Sequence, residues 1–483
     1  MPPTWLEVHS RYTWAQLADA FTWSELAAGP VSDEDLREIN VDRKVADVFN
    51  RLTVGKAVGV LENTLTQFSP FSGANKIAVN QVFALKAVQG SSIFGIFSGF
   101  IDFARVVPGV GNRVVEFSAS DRSKFFQQTI QTSLSTDVRA NSLFALVLNS
   151  VGVSTNDYVV DPNIADNIPF AYLDNMSAGE ALEQLNRAGS HIMHVDGKGK
   201  FRATSRSLEQ SATSVTSFEN FFSLDFSFSE DTIANDVRIS GEPRKVSTEV
   251  NTVAFIDDDP VLLAGDSVTF LLEFQDPSNQ ESTPVQSLVT PVSSQDYRGF
   301  TTAAEGGTNI TSALGVAITP FATTAEVTVT NSGSVDGFLT HFQLRGNAIQ
   351  RRPKFLAQAQ VSSSQALYGI KGFGLESNLI ELVTFAKNYA DYIVDLRKDP
   401  VEAISIGLKN EFPSMLLLDM LSKTTVVEST VGISGDWTVR GIQDQLSFSR
   451  GVEHVRTFTI EKAQSISFFV LDVDLLDEGI LGF

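Results

Sequence analysis

Cysteine is absent from all 483 residues, so neither disulfides nor thiolate metal ligands hold this chain together. Histidine is almost as scarce, at five: His9, His191, His194, His341 and His454. Lysine is missing from Ser247 to Gly346, where Arg298 and Arg345 are the only strongly basic side chains. No apolar run reaches the ~20 residues of a membrane span; the best, Ser91–Val107, is broken by glycine and charge, so no stable membrane insertion is expected. The first residues also lack the basic-then-apolar order of a secretory signal. Four tryptophans and seven tyrosines stand beside 36 phenylalanines, a balance that suits buried aromatic packing over exposed sugar stacking.

Acidic residues outnumber basic ones, 57 to 36, giving a formal net charge of −21. Stable nucleic-acid binding needs lysine and arginine clustered on phosphate, so that class is disfavoured. A passage that lets DNA through without holding it would suit an acidic wall, although an acidic soluble surface gives the same balance. The length fits three or four domains of roughly 100–150 residues each. A hydrophobic fraction of 43% supplies them with cores.

Motifs of enzymatic chemistry are also missing. There is no G-x-S-x-G elbow and no H-E-x-x-H helix. His191 and His194 lie three apart on an expected strand and so face opposite sides, which keeps them from converging on a metal with Asp196. Asp257-Asp258-Asp259 has hard oxygen donors but not the spacing or glycine of a calcium loop, and reads as a solvated turn. Gly369–Gly374 lacks the Gly-Lys-Ser/Thr order of a phosphate loop, and Gly109-Val110-Gly111 reads as a hairpin turn. Carboxylates are plentiful, but none stands out as a glycosidase pair. No catalytic, cofactor-binding or metal residue is assigned, no cofactor is expected, and the chain is read as a non-enzyme.

What the sequence does contain is a long series of strand signals with a few clear helices. Val54–Leu61, Ile77–Val88 and Ser91–Arg105 read as strands, and Val114–Ser118 is followed by Asp121 as a helix N-cap leading through Phe125 and Phe126. Ala140–Ser150 reads as a helix. Ser177 and Glu180 have capping-box spacing before Ala178, Ala181, Leu182, Leu185 and Ala188, with Gly189 as the stop. His191–Val195 and Lys200–Thr204 then flank a strong turn at Asp196-Gly197-Lys198-Gly199. Leu208–Ser217 reads as a polar connector, and Phe218–Gly241 as a phenylalanine-alternating strand running into Asn235-Asp236-Val237. Ser247–Arg345, with strands at Val268–Phe274 and Ala325–Thr330, suits a β-sandwich. A long helix is expected at Asn378–Lys398, its stripe formed by Leu379, Leu382, Val383, Ala386, Tyr389, Ala390 and Ile393. Asp399-Pro400 ends it, and Ile404–Leu408, Val439–Phe448 and Arg456–Lys462 read as closing strands. Phe468–Phe483, with Asp472, Asp474, Asp477 and Glu478, reads either as an arm packing on a neighbour or as a final strand.

In this order the pieces resemble the tail hub and minor tail proteins of tailed bacteriophages. Val58–Phe71 resembles the family's strand, asparagine turn and FxP-type segment. Ile93–Phe103 resembles its F-x-G-x-[IV]-D strand, with Phe97, Gly99, Ile101 and Asp102, and Ser118–Asp121 the alanine–aspartate turn after it. Ala178–Arg202 is similar to the family's helix–hairpin unit, and Asn235–Val237 to its NDV strand entry. Val327–Gly346 resembles a strand pair of the inserted sandwich; Tyr368-Gly369 with the long helix resembles a YG turn and helix. Trp5, Trp14 and Trp23, in the first fifty residues, depart from the pattern.

The resemblance implies a mainly β, multi-domain chain (α+β overall). It implies an N-terminal β-barrel-like hub domain at 1–115, an α/β subdomain at 116–206 and return strands at 207–246. An inserted β-sandwich at 247–345, a second hub β-domain with the long helix at 346–467 and a C-terminal arm at 468–483 complete it. It further implies a homotrimer at the tip of a virion's tail, made in the host cytoplasm. Its partners would be the tail tube or distal tail protein, the tape measure protein and tail fibres or receptor-binding proteins, with DNA only in transit. The competing expectations are a host-binding tail fibre or surface adhesin using the sandwich, and, further off, a secreted hydrolase. Sparse aromatics in the sandwich, with Tyr297 its only tyrosine, speak against sugar recognition there.

Overall fold

The computed structural model describes residues 35–45, 52–63, 67–68, 77–89, 92–107, 113–448 except 165, 174 and 190, and 451–463, together with 468–469 and 480–481. Trp5, Trp14, Trp23, the Gly109–Gly111 turn, Pro70-Phe71 and most of Phe468–Phe483 lie outside these residues. Of that last segment, Phe468–Phe469 pairs in parallel with Ile480–Leu481. The chain is mainly β and multi-domain, with its strands gathered into several sheets.

Both ends of the chain build one sheet. Strands β1 (Leu36–Lys44), β2 (Lys56–Glu62), β3 (Val82–Gln89), β4 (Ser92–Val107) and β5 (Val114–Ser120) lie in the order β1-β2-β5-β4-β3. The free side of β1 takes the strand Ile433–Ser447, antiparallel, from Glu38 opposite Ser447 to Lys44 opposite Gly441. Beyond it come Glu453–Lys462, Ala403–Lys409 and Ser223–Ser227, while Lys423–Glu428 and Ser214–Phe218 branch from Ile433–Ser447, making eleven strands. Apolar residues alternate as strand geometry requires, so that Ile39 and Val41 of β1 point inward with Ala57 and Leu61 of β2. They share a core with Phe97, Ile406, Trp437 and Phe458, so the two ends of the sequence bury their apolar faces together.

A second core holds the α/β part. Ser177 caps the helix Ala178–Gly189 reciprocally: its Oγ accepts the Glu180 N–H at 3.2 Å, and the Glu180 carboxylate accepts the Ser177 N–H at 2.9 Å. That helix and Ala140–Ser150 pack with Phe126 and Phe201 beside a sheet of Tyr158–Val160, Phe201–Thr204 and Ile192–Val195. The same core runs on into a sheet of Phe355–Gln360, Asp236–Gly241 and Gly372–Ser377, covered by the long helix through Ala386, Tyr389, Ala390 and Ile393.

The sandwich is organised around one strand, Gly337–Arg351, which pairs in turn with five others, among them Asn251–Ile256, Val285–Val289 and Tyr297–Thr302. Against this sheet lies a three-stranded one of Ser267–Glu273, Thr324–Asn331 and Leu314–Pro320. Phe274, Val327, Val329, Phe342 and Leu344 fill the space between.

Two expectations change in detail. The long helix is Val383–Arg397, starting after Leu382 rather than at Asn378. Leu379 and Ile380 are buried, yet they lie in the turn that follows the strand Gly372–Ser377, where the Ser377 hydroxyl accepts the Leu379 N–H at 3.3 Å; Leu382 and Val383 are exposed. An apolar stripe thus ran across a strand exit and a helix. The polar connector at Leu208–Ser217 is instead a short helix, Arg206–Ser211, capped by Ser205, followed by the strand Ser214–Phe218. That strand pairs in parallel with Lys423–Glu428 at the rim of the sheet, where backbone pairing and not apolar alternation decides the conformation.

Candidate functional site

The residues weighed for chemistry do not assemble. His191 sits just outside its strand, with Nε2 3.1 Å from the Asp166 carboxylate and its ring edge-on to Phe144. His194 lies within the strand opposite Arg202, and burial pushes its pKa down to about 4. Asp196 is occupied by its own turn, accepting the Lys198 and Lys200 N–H groups and the Arg202 guanidinium. Asp257 and Asp258 are exposed, and the Asp259 carboxylate accepts the Ala304 N–H at 2.9 Å. Gly369 caps the helix Ser362–Tyr368 with φ at 73°, and Gly372–Gly374 opens a strand, so this glycine run serves a turn. Among the described residues no group of three His, Asp or Glu side chains could hold a metal.

The structure instead brings together a seam between the long sheet and the α/β part. The hairpin tip at Asp196-Gly197 lies directly on β4. A Cβ on Gly197 would stand 2.3 Å from the Gly95 carbonyl oxygen, and a Cβ on Gly95 would stand 2.8 Å from that of Gly197. Only glycine on both sides allows backbone to meet backbone there. Beside this contact the Gly197 N–H donates to Asp419 at 2.9 Å, and Arg43 of β1 donates to the other oxygen of the same carboxylate at 2.6 Å. Burial alone would raise the Asp419 pKa, but the Arg43 guanidinium and the Gly197 amide hold it below the usual carboxylate value. Three regions far apart in sequence are thereby pinned at one point. Replacing Gly197 with alanine should cost about 1–3 kcal/mol, the range for forcing an extra carbon into a packed contact. Chemical denaturation would show it as a lower midpoint.

The second feature is the outer edge of the sheet. Ser223–Ser227 is its last strand on one side and β3 its last on the other, and Ser214–Phe218 ends the branch; each of the three has one neighbour only among the described residues. Around the first edge Phe222, Phe226 and Phe228 are 63%, 39% and 60% exposed, and the rings of Phe226 and Phe228 meet edge-on at 4.6 Å. Val88 is exposed at the end of β3. Phenylalanine alternation signalled a strand in the sequence; that its rings would face outward could not be read from it. Open edges with apolar side chains invite pairing with another chain.

In the sandwich, both arginines are neutralised: Arg345 grips Asp296 through two nitrogens, at 2.6 and 2.8 Å, and Arg298 meets Glu305 at 2.6 Å. Its surface is consequently acidic. Tyr297 is half-buried against the sandwich core rather than displayed.

No protein-family model and no curated protein matches the chain. Solved structures do show a similar arrangement. The 43 kDa tail protein of prophage MuSo2 from Shewanella oneidensis overlaps 89% of this chain and 95% of its own, at 9% identity and a TM-score of 0.48. A tail protein of Neisseria meningitidis MC58 overlaps 88% and 92%, at 10% identity and 0.47. Prophage tail protein gp18 of Listeria monocytogenes EGD-e overlaps 89% and 88%, at 8% identity and 0.41. All three are tail proteins, and at these identities and scores the likeness carries no functional argument for this chain.

Proposed function

We propose that this chain is a structural protein of a phage tail and forms, as a homotrimer, the hub that ends the tail tube. The observation that supports this reading is the sheet drawn from both ends of the chain, with open edges among the described residues, one of them carrying exposed phenylalanines. A subunit of this kind suits lateral association with copies of itself, each edge meeting a neighbour's. In this reading the ring so formed adjoins the tail tube or a distal tail protein, anchors the tape measure protein and fibres or receptor-binding proteins, and passes DNA without holding it. The net charge of −21 is compatible with such a passage. In this reading the acidic sandwich, which has its own core, stands outside the ring. Among the described residues no helix is long and apolar enough to cross a membrane. The reading assigns no enzymatic role.

The test is the mass of the purified full chain in solution by light scattering, with electron micrographs of the same peak. A trimer with a central opening is expected, and Phe226→Ser with Phe228→Ser should lower its share. An elongated monomer that binds host cells would replace the hub by a host-binding fibre or adhesin.

A further inference from the structure

The sandwich is joined to the body of the chain by a two-stranded stem. The strand Asp236–Gly241 leaves the body through Glu242-Pro243 and enters Arg244–Val246; Gly337–Arg351 returns through Arg352-Pro353 to Phe355–Gln360. Both strand pairs are antiparallel, with Gly241 opposite Phe355 and Arg244 opposite Arg351. Between them the ladder is broken by Pro243 and Pro353, neither of which has an N–H to give. The Arg352 N–H crosses this break to the Pro243 carbonyl at 2.8 Å. A break of this kind in a two-stranded ribbon is a place to bend.

One buried cation spans the bend. The Arg244 side chain is fully shielded from solvent; its guanidinium lies 4.0 Å from the centre of the Tyr172 ring, donates to the Tyr172 hydroxyl and reaches Glu242 at 3.3 Å. Arg351 approaches Glu242 at 3.8 Å from the returning strand. The Tyr172 hydroxyl donates to the Asn378 carbonyl at 3.4 Å, and a Cβ on Gly241 would stand 2.2 Å from the Ile380 carbonyl oxygen. The turn before the long helix thus rests against the bend, and Glu381 is its next residue. Glu381 Oε1 is buried and has no hydrogen-bond partner among the described residues, nor have Nε and Nη1 of Arg244. The charged and titratable groups around this carboxyl are Arg244 and Glu242 of the outgoing chain, Arg351 of the return, Tyr172, and Asp137 of the strand Ser135–Arg139. A buried oxygen without a donor suits a neutral carboxyl and penalises an ionised one. Burial accordingly pushes the Glu381 pKa up to about 7; the Arg244 guanidinium and amide pull the other way, and Asp137 adds to the rise.

We propose that the stem is a proton-operated hinge: with Glu381 neutral it stays shut on Arg244 and Tyr172, and with Glu381 ionised it opens, wetting the carboxylate and loosening the sandwich. The sign follows from linkage. The shut form holds the proton more tightly than a solvated glutamate does, so it is favoured at low pH and given up as pH rises through about 7. The inference is independent of the hub reading. The sandwich meets the body again at Ala322, whose N–H donates to the Thr132 carbonyl at 2.8 Å, so opening should release the Arg352 and Ala322 amides together. Hydrogen exchange on the full chain, read by mass spectrometry and corrected for the pH dependence of the intrinsic rate, tests this. In the native chain, protection of these two amides should fall roughly tenfold between about pH 6 and about pH 8.5. The strand Thr324–Asn331, inside the sandwich, should keep its protection throughout. Glu381→Gln preserves the side chain's shape but cannot ionise, and should stay protected at both values. Protection in the native chain that does not change with pH, or that falls as far in Glu381→Gln, overturns the proposal.

Discussion

Asp444→Ala should destabilise the chain by about 3–5 kcal/mol, the usual result of leaving a buried charge without its partner. Asp444 lies in the strand Ile433–Ser447, opposite Val41 of β1 on one side and Arg456 on the other. Its carboxylate receives the Arg456 guanidinium at 2.5 and 3.2 Å, and His454 Nε2 stands 2.6 Å away. All three side chains are buried, and Arg456 also donates to the Met415 carbonyl at 2.9 Å. Removing the carboxylate therefore strands a guanidinium inside the sheet's core. The double variant Asp444→Ala with Arg456→Met should recover much of the loss, because it removes the uncompensated charge together with its partner. Urea midpoints of the three proteins give the comparison, and a single-variant loss under 1 kcal/mol would refute this account. Burial by itself would raise the Asp444 pKa, but Arg456 and His454 bring it down to about 2, below the ~3.8 of an ordinary aspartate. A depressed folded-state value means that the stabilisation is complete above pH ~4 and is lost as pH falls from there through about 2. Asp444→Asn should accordingly flatten the acid limb of the stability curve.

Asn235→Ala should cost about 2–4 kcal/mol, since it strips several buried hydrogen bonds at once. The side chain is fully buried; its Nδ2 donates to Ser364 Oγ at 3.0 Å and to the Gly369 carbonyl at 2.9 Å, and its Oδ1 accepts the Lys371 N–H at 2.8 Å. Its backbone oxygen accepts from Gln365 Nε2 at 3.1 Å. One amide thus ties the entry of the strand Asp236–Gly241 to the helix Ser362–Tyr368 and the turn that ends it. Asn235→Asp should be worse than alanine, because a carboxylate cannot donate to Gly369 and would face its carbonyl oxygen. Hydrogen exchange at Lys371 separates this mechanism from general loosening: its amide should lose protection in either variant before the sandwich amides change.

The sequence spoke clearly where one residue type serves one local purpose. Ser177 with Glu180, Ala140–Ser150 and the Asp196–Gly199 turn depend on neighbours a few positions away, and all stand where the spacing placed them. The asparagine of Asn235-Asp236-Val237 could be picked out as a motif, but its reason lies more than a hundred residues downstream. Gly95 and Gly197 are of the same kind: each reads as an ordinary strand or turn glycine until the other is brought against it. The pairing of β1 with Ile433–Ser447 left no local trace at all, since alternation fixes which face is buried and not which strand lies alongside.

The pairing of Glu38–Lys44 with Gly441–Ser447 also sets a timetable. A ribosome delivers β1 early, and its partner strand only after some four hundred further residues, about 20–80 seconds later at ~5–20 residues per second. The sandwich and the helix–hairpin unit, built from closer contacts, can be finished during that interval, while β1 keeps one edge unsatisfied. Completion of the long sheet therefore reports that the whole chain has been made. A ribosome that stops short of residue 441 releases a subunit in which β1 is paired with β2 alone and its other edge stays open, and such a fragment is kept out of any assembly that requires the finished sheet.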